Sequence, residues 1–368
     1  MKRKERQDFY MSKRFKITAM LLTCIFVVCS TMLGVLAAKK ISSLPLGSQV
    51  SIDELDQESA SVGMINFLVV GVDEEGLRSD TIMLFSYDGY SNRVNVLSVP
   101  RDTRIKLGGY YQKLNAAMGV GVERVKAGKD KEPEEELIRQ IKLLTGLPIN
   151  YFLTVDFDGF MEVIEALGGV DFNVPYDMNY DDPVQGLHIH LKKGQQHLNG
   201  QQAHDFVRFR HNNGGSAPGE YVMGDEGRIY WQQKFMKEML KQKAKPQYFS
   251  KITDVFEVIS RNVRSNYTLQ DLVKHIDVLQ KINIEEMGTY KLPGESWYED
   301  YGNGQGCWWY RQNESETAKL IEEVFLPRSA EQWEQEKAEK AAAEAAAQAE
   351  KEQKETTKPV ETASASGR

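Results

Sequence analysis

Between Ile65 and Arg104 three apolar runs of strand length, each rich in β-branched residues, follow one another closely, and each carries charge at one end. Phe67 to Val72 ends in Asp73. Thr81 to Ser86 is entered through Arg78 and Asp80, and Val94 to Val99 ends in Pro100, Arg101 and Asp102. Any one of these charges alone reads as a solvated cap or a surface ion pair, worth roughly 0–1 kcal/mol. If adjacent strands bring the ends onto one rim of a sheet, three carboxylates and two guanidiniums share a small volume. That arrangement is costly without an ion or an anionic ligand to hold it, and a divalent cation with a phosphate group would balance it. Only Glu74 to Ser79 separate Asp73 from Asp80, so a hairpin or tight crossover is expected to put both carboxylates on the same rim. With no thiolate or imidazole nearby, the pair suits Mg²⁺, or Mn²⁺ in its place, rather than zinc; Glu74 and Glu75 belong to the connecting loop and are expected to be solvated.

Charge position also sets a topology. Lys2, Arg3, Lys4, Arg6, Lys13, Arg14 and Lys16 precede an uncharged, mostly apolar stretch from Ile17 to Ala38, long enough at 1.5 Å per residue to cross a hydrocarbon core of roughly 30 Å. The stretch exceeds the usual 7–15 residues of a signal-peptide core, so it predicts a retained transmembrane helix over cleavage near Leu36-Ala37-Ala38. Residues 1–16 are then a basic cytoplasmic tail, 17–38 the span, and everything after Lys39 lies outside the cell membrane. Cys24 and Cys29 fall inside the span and leave only Cys307 outside, so the outer domain has no internal disulfide. A formal charge of −7 and a pI near 5.6 argue against a general nucleic-acid binder.

Residues 39–62 read as a polar stalk, 63–326 as the working domain and 327–368 as a low-complexity tail rich in Ala, Glu, Lys and Gln. A helix is expected to begin at Lys113 to Ala117, beside a Gly-rich turn at Gly119 and Gly121. Residues 123–136 read as a charged exposed loop leading into a helix through Leu137, Ile141 and Leu144, stopped by Gly146 and Pro148. Tyr151 to Asp156 and Val170 to Val174 alternate as strands around a helix from Phe157 to Leu167; Asp156, Asp158 and Asp171 are read as caps and turns. His188 and His190 share a strand face, yet Lys192 and Lys193 beside them describe a solvated surface rather than a metal site. Gly194 to Gly200 reads as a turn. Arg208 and Arg210, two apart on what reads as an extended segment, form a fork suited to phosphate oxygens. Arg228 and Gln232 lie one turn apart on a helix that continues to Lys245. Helical patterns at 249–263 and 268–282, a strand at Met287 to Leu292, an aromatic segment Trp297 to Tyr310 and a helix at Ala318 to Phe325 complete the domain.

Several short segments resemble the LytR-CpsA-Psr family of cell-wall glycopolymer transferases. The resemblance rests on Gly71 and Asp73 at a strand end, Arg78 to Thr81, Ser98 to Thr103, and the Lys113, Asn115, Ala117 element. It continues through Leu198, Gly200, Ala203, Phe206, Arg208 and Arg210, and through Gly224, Asp225, Gly227, Arg228, Gln232 and Gln233. Trp231 departs from it, standing where the family usually has arginine, and the loop Asn212 to Met223 is longer than the common connection. The resemblance implies a three-layer α-β-α sandwich around a mixed central sheet, with a polyprenyl-pyrophosphate-linked glycopolymer (teichoic acid, capsule or similar) as donor. Peptidoglycan is the implied acceptor, at the surface of a Gram-positive type envelope.

No Gly-x-Ser-x-Gly, His-Glu-x-x-His or Walker loop appears, so nucleophilic triads, zinc hydrolysis and nucleotide-driven transfer lack their parts. An Asp and Arg set outside the membrane suits displacement at a pyrophosphate, which carries its own activation. Asp73 and Asp80 are the expected metal ligands. Arg78, Arg101, Arg208, Arg210, Arg228 and Gln232 are expected to bind the pyrophosphate. Asp80, Arg101 and Asp102 are the expected catalytic groups, with Asp102 taking a proton or orienting Arg101. Two other readings use the same sequence: a regulatory (attenuator) or glycan-binding surface protein, and a polyprenyl pyrophosphate hydrolase.

Overall fold

The first three runs do become neighbouring strands, and their lack of polar alternation has a structural cause. In the computed structural model β1 (Met64–Val72), β2 (Ser79–Asp88) and β3 (Arg93–Ser98) form an antiparallel meander buried on both faces. Leu68, Val70, Ile82, Leu84 and Leu97 face one apolar core, while Ile65, Met83, Tyr87, Val94 and Val96 face another. The structure describes residues 63–243, 261–268, 281–302 and 305–326, with a few single positions elsewhere. The basic tail, the apolar stretch 17–38, the stalk, nearly all of 327–368 and most of the helical patterns at 249–263 and 268–282 lie outside the described residues. Among the described residues no helix is long and apolar enough to cross a membrane.

After the meander come the hairpin β4 (Arg104–Leu107) and β5 (Tyr110–Lys113), then α1 (Ala117–Lys126) and α2 (Glu134–Thr145). Gly119 and Gly121 lie inside α1, not in a turn. Gly121 is there because α1 crosses closely over the start of α2: a Cβ at this position would meet the Pro133 carbonyl oxygen. The expected exposed loop is also corrected. Glu134, Glu135 and Glu136 are buried, and Asp130 binds Arg124 at 2.6 Å while Glu136 binds Arg139 at 2.9 Å and Glu134 binds Arg264 at 2.9 Å. Composition suggested solvent, but paired charge allows burial.

β6 (Tyr151–Val155) runs parallel to β1, and α3 (Phe157–Ala166) starts at Asp156, whose side chain accepts from the Gly159 amide as expected of a cap. β7 (Val170–Val174), β8 (Met178–Asp182), β9 (Leu187–Leu191) and β10 (Gly194–Leu198) form two small ladders, β7 with β10 and β8 with β9, so the expected turn at Gly194 is a strand. His188 and His190 are exposed and bind Asp181 and Asn179, and His197 binds Asp171.

The next correction touches the site. Gly200 to Arg208 is a helix, α4 (Gly200–Arg208), not an extended segment. Asn199 and Gln202 exchange side-chain and backbone hydrogen bonds as a capping box, and Ala203 and Phe206 bury one face of the helix. α5 (Asp225–Lys243) follows the loop, then β11 (Val263–Ser265) and β12 (Gly288–Lys291). The aromatic hairpin β13 (Gly294–Gly302) and β14 (Gln305–Gln312) and the short α6 (Glu314–Leu320) complete the described domain.

The central sheet is mixed, with order β11-β6-β1-β2-β3-β12; β1 with β6 and β3 with β12 are its parallel pairs. Helices α1 and α2 and the residues after α6 cover one face, and Leu240 of α5 with Ile282 and Met287 lies against the other. A separate apolar core built on α3, α4, the small ladders and α5 forms the second wall of the molecule. Trp231 belongs to this core, 6.2 Å edge-to-face from Tyr176 and 6.4 Å from Phe206, so it packs rather than facing a ligand.

Candidate active site

Between the charged end of the meander and the second core lies a cleft of about 770 Å³. Every residue selected for the site from the sequence lines it: Asp73, Arg78, Asp80, Arg101, Asp102, Arg208, Arg210, Arg228 and Gln232. The β1–β2 hairpin is the reason for the first three. Val72 pairs with Ser79 across a bulge, so the loop that joins them stands on the same rim as the end of β3.

Asp73 is partly committed to that loop. Its Oδ1 accepts from the Leu77 amide at 2.9 Å and the Arg78 amide at 3.1 Å. Asp80 Oδ1 accepts from Arg101 Nη1 at 2.5 Å. Each carboxylate therefore keeps its second oxygen for another partner. Two such oxygens, completed by phosphate oxygens and water, make the all-oxygen set that Mg²⁺ takes. Among the described residues no cluster of three or more His, Cys, Asp or Glu could hold a metal by protein ligands alone. Glu74 and Glu75 are exposed, as expected of the loop. Asp102 does not stand free: its Oδ1 is 2.9 Å from Lys113 Nζ at the end of β5.

The residue that sequence reasoning missed is Asp225. Its Oδ1 lies 2.6 Å from Arg228 Nη2, 3.7 Å from Arg210 Nη2 and 4.0 Å from Arg101 Nε. Three guanidiniums from a strand end, a loop and a helix thus converge on one carboxylate. In the sequence Asp225 stands only among the residues that carry the family resemblance, and nothing in its spacing shows that three arginines share it. Lys113 was missed too, as part of a helix start.

The arginines are crowded. Burial is the largest influence on Arg228 and lowers its pKa to about 10; Asp225 works against this, while Arg210 and Arg101 reinforce it. Burial and then the neighbouring Arg101 lower that of Arg210 also, although 40% of its side chain remains open. Arg101 is the counterexample. Burial opposes its charge, but Asp225 and Asp80 together outweigh that and hold its pKa above the usual value. The buried Nε atoms of Arg101 and Arg228 have no hydrogen-bond partner, so their desolvation is uncompensated.

Arg208 reaches the cleft from the last turn of α4, donating to Gln185 Oε1 at 2.8 Å and resting 4.5 Å from the Phe157 ring centroid. Arg210 follows the helix end at Phe209 on extended backbone. The two arginines meet in the cleft as expected, but a helix terminus brings them there. Gln232 spends one N–H on the Val207 carbonyl at 3.0 Å, tying α5 to α4. Gln233, next to it, is turned away and binds Ser98 and Tyr290. The chain can approach this closely at the start of α5 because residue 227 is glycine: a Cβ would meet the Glu220 carbonyl oxygen.

The cleft is lined by six cationic side chains and three carboxylates, with Asp225 behind them as a fourth. The two surplus positive charges match the two negative charges of a pyrophosphate diester. In the three strand ends alone, three carboxylates outnumber two guanidiniums; Lys113, Arg208, Arg210 and Arg228, brought in by the rest of the fold, reverse that balance.

The chain is similar to known proteins over most of the described domain. The LytR_cpsA_psr family model matches residues 35–324. A polyisoprenyl-teichoic acid–peptidoglycan teichoic acid transferase of Bacillus subtilis, TagV, is 29% identical over 226 residues, covering 60% of this chain and 53% of that protein, so the match spans about half of that relative's length. A transferase of the same description from Bacillus cereus, TagU, is 29% identical over 251 residues, covering 67% of this chain and 73% of that one. The crystal structure of Bacillus subtilis TagV superposes with a TM-score of 0.56 at 26% identity, covering 71% of this chain and 96% of that one.

Proposed function

The chain belongs to the LytR-CpsA-Psr family, and from that premise and the geometry of the cleft we propose that it transfers a teichoic acid or similar glycopolymer from a polyprenyl-pyrophosphate carrier to peptidoglycan. The observation that carries the reading is the convergence of Arg101, Arg210 and Arg228 on Asp225, in a cleft with surplus positive charge that Asp73 and Asp80 also line. Such a set holds a pyrophosphate and stabilises the charge that grows on its leaving oxygen.

In this reading a sugar hydroxyl of the acceptor attacks the phosphorus that carries the polymer. A new P–O bond forms, the bridging P–O bond breaks, and the lipid leaves as its monophosphate. Arg101 stands where it can follow charge through the reaction, held by Asp80 on one side and Asp225 on the other. Arg208, Arg210, Arg228 and Gln232 grip the remaining phosphate oxygens, and Arg78 does so from the hairpin loop. Asp102, held by Lys113, is placed to accept the hydroxyl proton or to orient Arg101. Asp73 and Asp80 would hold Mg²⁺, or Mn²⁺, which when bound supplies neutralisation of phosphate oxygens.

Membrane anchoring is part of the proposal. The stretch Ile17 to Ala38, with its basic N-terminal flank, would place the domain 63–326 on the outer surface of a Gram-positive type membrane, where a polyprenyl donor is anchored. The stalk 39–62 and the tail 327–368 carry no chemistry in this scheme.

The test combines the purified protein with Mg²⁺, lipid-linked donor and peptidoglycan. Covalent polymer–peptidoglycan product is expected, and Arg101→Ala should lower its rate by about 10²-fold or more with the fold intact. Equal yield from that variant would overturn the assignment. Release of lipid phosphate without acceptor, at the rate seen with peptidoglycan, would identify a hydrolase instead. Sacculus binding with no polymer transfer would leave a glycan-binding surface protein.

A further inference from the structure

Next to the cleft a second surface is built from flat rings and ions. β14 lies alongside β4: the Tyr310 amide donates to the Asp102 carbonyl at 2.9 Å, and Thr103 bridges Tyr310. The two hairpins are separate two-stranded ladders that lie side by side as one surface ribbon, joined at that single bridge, and its backbone is attached directly to a residue of the cleft.

One face of the ribbon packs Ile105 and Leu107 into the core, so Arg104 on β4 belongs to the outer face. Its guanidinium lies 3.9 Å from the Tyr111 ring centroid, 5.3 Å from that of Trp309 and 5.6 Å from that of Trp297. Trp297 and Trp309 stack at 6.3 Å, and the Arg311 guanidinium lies 4.6 Å from the Trp297 ring centroid. Trp309 is the buried floor and donates its indole N–H to the Tyr301 hydroxyl at 3.2 Å, while Tyr111 and Tyr301 keep 62% and 58% of their surface open. Glu299 and Glu295 stand 4.0 Å from Arg104 and 3.6 Å from Arg311. At its inner end the same face reaches Lys113, the partner of Asp102.

We propose that this face is the acceptor site, a track that binds a glycan strand of peptidoglycan and feeds it to Asp102. The inference rests on the function proposed above and adds where the acceptor lies. The ring faces suit the C–H faces of pyranoses, and the interleaved guanidiniums and carboxylates suit hydroxyl and acetamido groups. A membrane surface would ask for projecting apolar side chains, and a nucleic acid for cations left without carboxylate neighbours, whereas Arg104 and Arg311 stand beside Glu299 and Glu295.

The opposite face of the hairpin supplies a control. Tyr298 and Trp308 pair there, 5.4 Å apart and exposed, away from Arg104. The experiment measures co-sedimentation of the full-length protein with peptidoglycan sacculi stripped of wall polymers, and in parallel the acceptor KM for transfer. Tyr111→Ala and Trp297→Ala should each weaken sacculus binding and raise the acceptor KM about tenfold. Trp308→Ala should change neither. Trp297→Phe, which keeps a ring, should recover most of the binding and so separates lost stacking from lost folding. Unchanged binding in Tyr111→Ala and Trp297→Ala, or loss confined to Trp308→Ala, overturns the proposal. Binding is also measured in Arg101→Ala, which should retain it. If wild type binds sacculi through Tyr111 and Trp297 yet transfers no polymer, the transferase reading fails while the glycan track stands; if it transfers polymer without needing these rings, the reverse holds.

Discussion

Arg228 offers the sharpest test of the idea that the cleft is strained towards an anion. Its side chain is 8% exposed, and burial together with Arg210 and Arg101 brings its pKa down to about 10 despite Asp225 at 2.6 Å. Relative to an ordinary guanidinium that drop corresponds to about 3 kcal/mol of net cost to the charged form, with no large discount for solvent at this depth. Arg228→Met keeps much of the buried stem and removes the charge. Asp225 then retains only its longer contacts to Arg210 and Arg101, which takes back part of the gain. A net stabilisation of about 1–2 kcal/mol is expected, or roughly 2–6 °C in Tm for a domain of this size. The sign with pH follows from a folded-state pKa below the unfolded one. The cost is fully present below about pH 10 and is relieved only above it, so the difference between variant and wild type should be flat across neutral pH. The assay is thermal unfolding of both proteins in phosphate-free buffer, repeated with a non-hydrolysable pyrophosphate analogue, which should raise the Tm of wild type more than that of the variant. A variant destabilised by 2 kcal/mol or more would refute the reasoning and make Arg228 an anchor of α5.

Removing the hub should act in the opposite direction. Asp225→Asn leaves Arg101, Arg210 and Arg228 facing one another without their shared counter-charge, so the urea midpoint should fall by the equivalent of about 1–2 kcal/mol and partly recover with pyrophosphate; a midpoint equal to wild type would show that the arginines do not depend on it. For the metal, Asp73→Asn keeps an oxygen to accept from the Leu77 and Arg78 amides, so it should stay folded yet lose Mg²⁺-dependent turnover, as should Asp80→Asn. Loss of the response in Glu74→Gln instead would place the ion on the loop. Gly121→Ala should cost about 2–3 kcal/mol by thermal unfolding, because its Cβ meets the Pro133 carbonyl oxygen and α1 must move off α2; a change below 0.5 kcal/mol would mean that the helices separate freely.

Much of this site was legible because a strand end is a fixed place. Asp73, Asp80 and Arg101 stand at the ends of strongly apolar runs, so once the meander forms the pleat and the short hairpin dictate where they meet. The residues of the second half also line the cleft, but the backbone expected for Arg208 was wrong. Arg208 and Arg210 have a spacing that fits either a strand face or a helix terminus followed by extended chain, and only the capping box at Asn199 and Gln202 decides for the helix. The acidic run before Leu137 was read as solvent-facing because the partners that permit its burial, Arg139 and above all Arg264, are supplied from one turn further along the same helix and from a distant strand.

Asp225 shows why the remaining part was hidden, and what its concealment implies for the chemistry. As the first residue of α5 it stands at the positive end of a helix, where a carboxylate is favoured whatever else surrounds it. The same position lets one side chain do two things: offset the helix terminus and gather three guanidiniums. Only the contact to Arg228 is short, and Arg210 and Arg101 are held at 3.7 and 4.0 Å, close enough for attraction but too long to spend their hydrogen-bonding donors. A tighter carboxylate would have neutralised the cleft, and none at all would have let the arginines repel one another out of place. The distances lie between those limits, so the guanidiniums are positioned in advance while Asp225 takes up a donor of Arg228 alone. That is the condition under which electrostatic stabilisation costs least reorganisation as charge moves through the reaction.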